Sequence, residues 1–294
     1  MGLTCFTAAY PTGISPAFML AMPQGRTRGD DAAPKAPKAG NAAAVTDAPA
    51  AVEAFKKAER YRYCQRDEAG NVISIKWNWP RRFERPETHQ LRLRCLENLK
   101  GFPKLRVISL HTDNPNEELD YIADLDKLES LEVHNTELDN DGLAAIQGMA
   151  KLKRLSLNAN YKVTDAGMEH LAAMKSLEDL DLSSTGVRGT GLSWLKGLKN
   201  LKKLDLSGLK LGDAEMVHVA ALTSLEELNL TFTRITSASI HDLSRLTRLK
   251  VLDLSSTFGT EPGAEELKKL LPELKIVPPE PPWRARKRKT GNNP

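Results

Sequence analysis

The chain has 294 residues, of which 40% are hydrophobic and 27% charged, while only 5% are aromatic. A chain of this length can bury a core, but with so few aromatic rings that core must consist mainly of aliphatic side chains. The apolar runs fall short of the roughly 18 residues that a membrane-spanning helix needs. Three cysteines far apart in the sequence exclude a disulfide scaffold and a cysteine zinc cluster.

The net charge of +4 conceals an uneven distribution. Residues 55–110 carry fourteen basic and six acidic side chains, whereas residues 111–280 carry nineteen basic and twenty-eight acidic ones. The last segment, 281–294, adds five basic residues. An acidic body therefore lies between a basic shoulder and a basic tail.

Residues 1–54 are predicted to be disordered or to form an export segment. Residues 26–54 are rich in Ala, Pro, Gly and charge, a composition that buries too little apolar surface to offset the entropy lost on ordering. A secretory signal requires a positively charged segment before its apolar segment, and the first 25 residues contain no such charged segment. Their Ser, Thr, Ala and Pro content resembles the export segments of injected bacterial effectors. We therefore slightly favour a secreted or translocated protein over a cytoplasmic one.

Residues 55–104 are predicted to form an N-terminal cap with an atypical first repeat. The segment VISIKW at residue 72 alternates apolar and polar residues as a strand does. The next strand-like segment begins at residue 105 and opens a regular array. Because the end of such an array exposes its core unless it is covered, the residues before it must supply that cover.

From residue 105 to residue 277 one frame recurs, with apolar residues at its positions 1, 4 and 6. The copies are LRVISL at 105, LESLEV at 128, LKRLSL at 152, LEDLDL at 177, LKKLDL at 201, LEELNL at 225 and LKVLDL at 249. A second apolar series follows each copy at three-residue intervals, which is helical or 3₁₀ spacing. A unit of about 24 residues cannot cover its own apolar face, so the units must stack. We predict an α/β right-handed solenoid with a parallel sheet on the concave side and short helices on the convex side.

The LxxLxL frame followed by a turn resembles the leucine-rich repeat, and TDAGMEHLAAMKSLEDLDLSSTGV at 164–187 resembles the bacterial repeats that read T-D-x-G-L. The resemblance covers about 72–277. It departs from the common pattern after the strand, where Thr replaces Asn in four copies: Thr136, Thr185, Thr233 and Thr257. Threonine can hydrogen-bond to nearby turn backbone as asparagine does, though more weakly.

The outward positions of the strands are predicted to form an acidic concave face. The candidate binding residues there are Glu132, His134, Arg154, Asp179, Asp181, Lys203, Asp205, Glu227, Asn229, Phe232 and Asp253. A basic segment of a partner protein is the complementary ligand, and an exposed Phe232 would anchor it. The alternative is that aspartate in LxLDLS merely keeps such repeats soluble.

Catalysis and cofactor binding are not predicted. The sequence contains no Gly-rich phosphate loop, no metal-ligand spacing and no nucleophile elbow. His111 and His134 fall at the same position of adjacent copies, but two imidazoles without a third ligand bind a metal weakly. We therefore predict no metal site and no cofactor.

The tail 278–294 is Pro-rich and then basic. Its positive residues are Arg284, Arg286, Lys287, Arg288 and Lys289. Such a cluster can bind nucleic acid or an anionic membrane surface, or serve as a nuclear address.

The sequence thus predicts a scaffold for protein recognition, in the first hypothesis an exported bacterial effector. Two alternatives stay open: a cytoplasmic adaptor whose basic tail contacts nucleic acid or lipid, and an enzyme with its chemistry in residues 55–104.

Overall fold

A computed structural model describes residues 46–58, 62–77, 86–112, 115–257 and 259–277. The predictions made for residues 1–45 and for the tail from residue 278 onward, including its five basic residues, lie outside the described residues.

The strands of the described ranges form one sheet in which strand order follows chain order. They are β1 (Arg62–Arg66), β2 (Val72–Trp77), β3 (Val107–Leu110), β4 (Ser130–Val133), β5 (Arg154–Ser156), β6 (Asp179–Asp181), β7 (Lys203–Asp205), β8 (Glu227–Asn229), β9 (Val251–Asp253) and β10 (Lys275–Val277). β1 pairs antiparallel with β2, and each later pair of neighbours is parallel. The predicted stack of repeats is confirmed, with the antiparallel β1 as an addition.

Short helices connect successive strands. The α-helices are α1 (Pro49–Lys57), α2 (Pro86–Glu97), α3 (Pro115–Ile122), α4 (Asn140–Ile146), α5 (Met168–Leu171), α6 (Met216–Val219), α7 (Ser237–Ile240) and α8 (Glu261–Leu270). The 3₁₀ helices are Leu99–Gly101, Asp165–Gly167, Thr190–Gly197, Asp213–Glu215 and His241–Arg245. Thr190–Gly197 is 3₁₀ over its whole length, as the three-residue spacing of Leu192, Leu195 and Leu198 predicted.

The core is a set of leucine rows that run from coil to coil. The residues at frame position 4 pair in register along the sheet: Ile75, Ile108, Leu131, Leu155, Leu180, Leu204, Leu228 and Leu252. Each of them is at most 1% exposed. Because each row is buried mainly by the coils on either side, each coil depends on its neighbours for its core.

The threonines that replace asparagine after the strand bind turn backbone, as predicted. Asn160 Nδ2 donates to the Leu157 carbonyl of its own coil at 2.8 Å and to the Val133 carbonyl of the preceding coil at 2.6 Å. Thr185 Oγ1 reaches only its own coil, at the Leu182 carbonyl. A threonine thus supplies one of the two hydrogen bonds that the asparagine makes.

The T-D-x-G motif joins neighbouring coils. The Asp165 carboxylate accepts hydrogen bonds from the backbone N–H groups of Gly189 and Gly191 on the next coil, at 3.0 and 2.9 Å. A Cβ added to Gly191 would lie 2.7 Å from the Asp165 carbonyl oxygen, so the two coils approach closely only because this residue has no side chain. Asp213 makes an equivalent link to the next coil, because its carboxylate accepts a hydrogen bond from Thr236 N–H at 2.7 Å.

Exposed charges alternate in sign along the edge where the strands begin. This edge column consists of Arg106, Glu129, Lys153, Glu178, Lys202, Glu226 and Lys250. Lys153 Nζ lies 2.8 Å from a Glu129 carboxylate oxygen, and Lys202 Nζ lies 2.6 Å from a carboxylate oxygen of its neighbour Glu178. Each exposed pair contributes at most about 1 kcal/mol. The alternation mainly avoids the repulsion that like charges on neighbouring coils would cause.

The N-terminal cap begins before the predicted boundary between residues 54 and 55, which falls inside α1. Phe55 of α1 is 2% exposed and packs between the rings of Trp77 and Phe102, with centroids 5.7 and 4.7 Å away. Asp47 accepts a hydrogen bond from Val72 N–H at 3.0 Å. The folded part therefore includes Asp47 and residues 49–54 of α1, which the sequence assigned to the disordered segment because the composition there is rich in Ala and Pro.

Leu180→Ala should lower the free energy of unfolding by about 2–5 kcal/mol, because Leu180 is fully buried between two coils that cannot collapse into the cavity. Urea denaturation measures the loss, and Lys196→Ala, at an exposed position of the convex side, is the control. An unchanged transition in Leu180→Ala would contradict the assigned frame.

Phe55→Ala should lower the free energy of unfolding by about 3–5 kcal/mol, because it empties the aromatic cluster under the cap. The neighbouring exposed Lys56→Ala should leave it within about 0.5 kcal/mol of wild type. Equal transitions in the two variants would show that α1 is not part of the cooperative unit.

Candidate functional site on the concave face

The concave face, as we name it, is the face of the sheet that points away from the leucine rows. Two columns of side chains cross it in register. The central column, between frame positions 4 and 6, is Tyr63, Lys76, Ser109, Glu132, Ser156, Asp181, Asp205, Asn229 and Asp253. The flanking column, before position 4, is Gln65, Ser74, Val107, Ser130, Arg154, Asp179, Lys203, Glu227 and Val251. The predicted concave residues of both columns are therefore on one face, with neighbouring strands about 4.8 Å apart.

The central aspartates cap the ends of their own strands. Oδ1 of Asp181 accepts from Ser183 N–H at 2.9 Å, and Oδ1 of Asp205 accepts from Ser207 N–H at 2.8 Å. Asn229 Oδ1 makes the same contact with Thr231 N–H at 3.0 Å. These Asx turns hold the backbone where it leaves the sheet. The aspartate of LxLDLS thus has a structural role that neither sequence interpretation included.

Asp181 and Asp205 are direct neighbours in register, and neither forms an ion pair with a described residue. The Asp181 carboxylate also accepts from Ser183 Oγ and, at 2.7 Å, from Ser156 Oγ, and the Asp205 carboxylate accepts from Asn229 Nδ2 at 2.9 Å. Burial, and then the charge of Asp181, raise the pKa of Asp205 to about 6. Two adjacent carboxylates thus share the face without a cation between them.

Two predicted binding residues are less accessible than the alternation suggested. Asn229 is 5% exposed and Asp253 is 2% exposed, although both lie in the central column. The prediction that these two side chains are exposed for binding is therefore wrong. Asn229 instead donates to Asp205, and Asp253 caps Ser255 N–H at 2.9 Å.

The flanking column alternates in sign and largely neutralises itself. Lys203 Nζ lies 2.7 Å from a Glu227 carboxylate oxygen. Asp179 lies between Lys203 and Arg154, yet burial raises its pKa because desolvation outweighs the attraction of Lys203. The negative character of the face is therefore concentrated in the central column.

His134 belongs to a chain of polar contacts that leads to Asp181. The rings of His111 and His134 meet edge to face with centroids 5.8 Å apart. His134 Nε2 lies 2.7 Å from Ser156 Oγ, and Ser156 in turn donates to Asp181. Because Ser156 gives its hydrogen to a carboxylate and not to the imidazole, this order does not activate a serine nucleophile. Glu132, on β4 two residues before His134, is partly exposed.

Phe232 is exposed, as predicted, and its backbone is strained. Its side chain is 60% exposed and its φ is +57°. The equivalent positions that share a positive φ carry small or polar residues: Asn135, Ala159, Ser184, Gly208 and Ser256. A bulky aromatic residue in this conformation is uncommon, and such strain is often retained for function.

The sequence interpretation missed the capping role and the contribution of the cap to the face. The D-x-S spacing in LDLS is the signal for an Asx turn. Alternate residues of VISIKW point to opposite faces of the sheet. Because Ile75 and Trp77 are buried on the core face, Lys76 lies on the concave face. The position of Tyr63 on this face depends on the pairing of β1 with β2, and no local sequence pattern indicates that pairing.

Within the described ranges, no three His, Cys, Asp or Glu side chains are grouped as a metal ion requires. The helices of those ranges are also too short or too polar to cross a bilayer.

Comparison with known families decides the type of repeat. Residues 175–235 match the family model described as leucine rich repeat. The chain carries leucine-rich repeats. The frame and the sheet register that define them continue from β3 to β9 on both sides of the matched segment. Comparison with curated proteins gives no match.

Two solved structures are similar to this chain at low identity. An internalin from Listeria monocytogenes is 15% identical over 79% of this chain and 75% of that chain, with a TM-score of 0.48. A TDR receptor is 22% identical over 62% of this chain and 31% of that chain, with a TM-score of 0.44. Similarity at this level carries no argument about what the leucine-rich repeats of this chain bind.

Asp205→Asn should stabilise the protein at pH 7.5 by about 1 kcal/mol, since a pKa shift of one unit corresponds to about 1.4 kcal/mol and the new amide no longer accepts the hydrogen bond from Asn229 Nδ2, which offsets part of the gain. Asn229 shows that asparagine makes the same cap. Because the pKa of Asp205 in the folded protein exceeds its ordinary value of 3.8, the folded state binds this proton more tightly than the unfolded chain. The stability that depends on this proton therefore falls as pH rises from about 4 to about 6.

Thermal melting between pH 4 and pH 8 measures this effect, with Asp120→Asn at an exposed position of α3 as the control. The Asp205→Asn variant should lose this part of the pH dependence. A variant that melts below wild type at pH 7.5 would show that the Asp205 carboxylate is stabilising.

Proposed function

We propose that the protein is a recognition scaffold whose concave face binds a basic segment of a partner protein, with a basic side chain received by Asp181 and Asp205. One observation carries the proposal. In the edge column and in the flanking column, neighbouring charges alternate in sign, whereas Asp181 and Asp205 are neighbours of like sign with no cation between them. A bound cation would relieve this repulsion.

The fold holds both carboxylates in place before binding. Their Oδ1 atoms are fixed by the Asx turns, and their Oδ2 atoms by Ser156 and Asn229. Ordering these side chains therefore costs little when a ligand arrives, and preorganisation of this kind increases affinity. Both side chains are partly exposed on the concave face.

Phe232 supplies the apolar part of the same surface. It lies three residues after Asn229, on the coil next to Asp205. An exposed aromatic ring beside carboxylates suits the alkyl portion of a lysine or arginine side chain, and aromatic residues dominate binding energy at many interfaces. Contact with a partner would offset the strain of its positive φ.

Export of the protein is part of this proposal and rests on the sequence of residues 1–54. Locating a protein tagged at its C-terminus, in the culture fluid or in the cell, distinguishes an exported effector from a cytoplasmic adaptor.

The double variant Asp181→Asn with Asp205→Asn should lose the partner while keeping the fold, because asparagine retains both caps and removes both charges. The test is capture of proteins from a lysate on immobilised wild type and variant, quantified at 50 and 300 mM salt. Partner recovery should drop at least tenfold in the variant, and wild-type recovery should fall as salt screens the attraction. The control is Asp120→Asn with Asp124→Asn, which removes two exposed acids outside the concave face. An identical set of captured proteins would exclude the central column as the binding site.

Phe232→Asn should change stability and binding in opposite directions. Asparagine adopts a left-handed backbone readily, as Asn135 does at the equivalent position, so the free energy of unfolding should rise by about 0.5–1 kcal/mol. Recovery of the partner should fall, because the ring is lost. Melting and capture are measured on the same preparation, and a stabilised variant with unchanged recovery would confine Phe232 to a local role.

A further inference from the structure

The central column extends beyond the repeats into the N-terminal cap. Lys76 of β2 is in register with Ser109, and Tyr63 of β1 is in register with Lys76. Ile75 and Trp77 on either side of Lys76 are fully buried, so Lys76 points to the concave face. Lys76 is exposed and Tyr63 is 64% exposed, so both are accessible to a ligand on that face.

The charge of the column therefore changes sign along its length. Lys76 forms no ion pair with a described residue, and its neighbour Tyr63 adds a phenolic hydroxyl that can donate a hydrogen bond. Glu132 lies two strands away from Lys76, and the two side chains form no ion pair with each other. At the other end lie Asp181 and Asp205. The face thus offers a cation with a hydrogen-bond donor at one end and two carboxylates at the other.

The sheet sets the distance between the two ends. From β2 to β6 there are four strand spacings and to β7 there are five, which at about 4.8 Å each separate Lys76 from Asp181 by about 19 Å and from Asp205 by about 24 Å. An extended peptide advances about 3.3 Å per residue. A ligand crossing the strands therefore covers this distance in about six or seven residues.

We propose that the concave face binds an extended segment of the partner that carries an acidic residue at Lys76 and Tyr63 and a basic residue at Asp181 and Asp205, six or seven positions apart. The basic residue of the segment, at Asp181 and Asp205, rests on the proposed function. The acidic residue of the segment, at Lys76 and Tyr63, is the new part of the inference. Two opposite charges at a fixed spacing select the segment and its direction across the sheet, which one acidic patch cannot do.

A random 12-residue peptide library displayed on phage tests this inference by selection on immobilised protein. Wild type should enrich peptides in which Asp or Glu lies six or seven positions from Arg or Lys, at least fivefold above their frequency in the library. Lys76→Glu should lose the acidic residue and keep the basic one, and Lys76→Gln should do the same without a new charge. The Asp181→Asn, Asp205→Asn variant should lose the basic residue and keep the acidic one. Lys196→Glu, an exposed lysine of the convex side, is the control and should select as wild type does.

The outcomes separate this inference from the proposed function, provided that each variant unfolds cooperatively and melts no lower than wild type. A basic residue selected without an acidic partner, or an acidic residue still selected by both Lys76 variants, would overturn the inference and leave the proposed function intact. Wild-type peptides without an enriched basic residue, or no enriched peptides at all, would overturn both.

Discussion

The constraint on which the rest of the structure depends is that each coil buries its leucines only against the coils beside it. Leu180 packs between Leu155 and Leu204, and the same is true along the whole row. A shift of one residue between two strands would turn this row to the solvent face, so the register is fixed at each step. Each residue of the concave face is consequently held about 4.8 Å from its equivalent on the next coil.

This register makes charge a collective property of a column. A repeat that placed the same acid at one position of every coil would build a row of repelling carboxylates. The edge and flanking columns avoid this by alternating sign, as in the pair Lys203 and Glu227. Ser156 and Asn229 interrupt the central column and donate hydrogen bonds to its acids. Asp181 and Asp205 are the place where this arrangement leaves two like charges together, and for that reason the proposed binding site is centred on them.

The cap both covers the core and extends the face. Its aromatic cluster around Phe55 closes the end of the leucine rows, and β2 continues their register. Arg92 and Glu118, 4% and 0% exposed with nitrogen and oxygen 3.0 Å apart, tie α2 to α3 and so fix the cap on the first repeat. Because a buried pair of this kind is costly to break, it stabilises the position of the cap against the first repeat.

The sequence by itself determined the frame, the strands from β2 to β10, the leucine rows and the exposure of Phe232, because a period of 24 residues with apolar positions 1, 4 and 6 is a local pattern that admits one stacking. It also placed the concave residues on one face. Only the tertiary structure decided that the aspartates cap their strands, that Asn229 and Asp253 are covered, and that α1 belongs to the core through Trp77 and Phe102. Those properties depend on turn conformation and on contacts between segments distant in the chain, which no periodicity encodes.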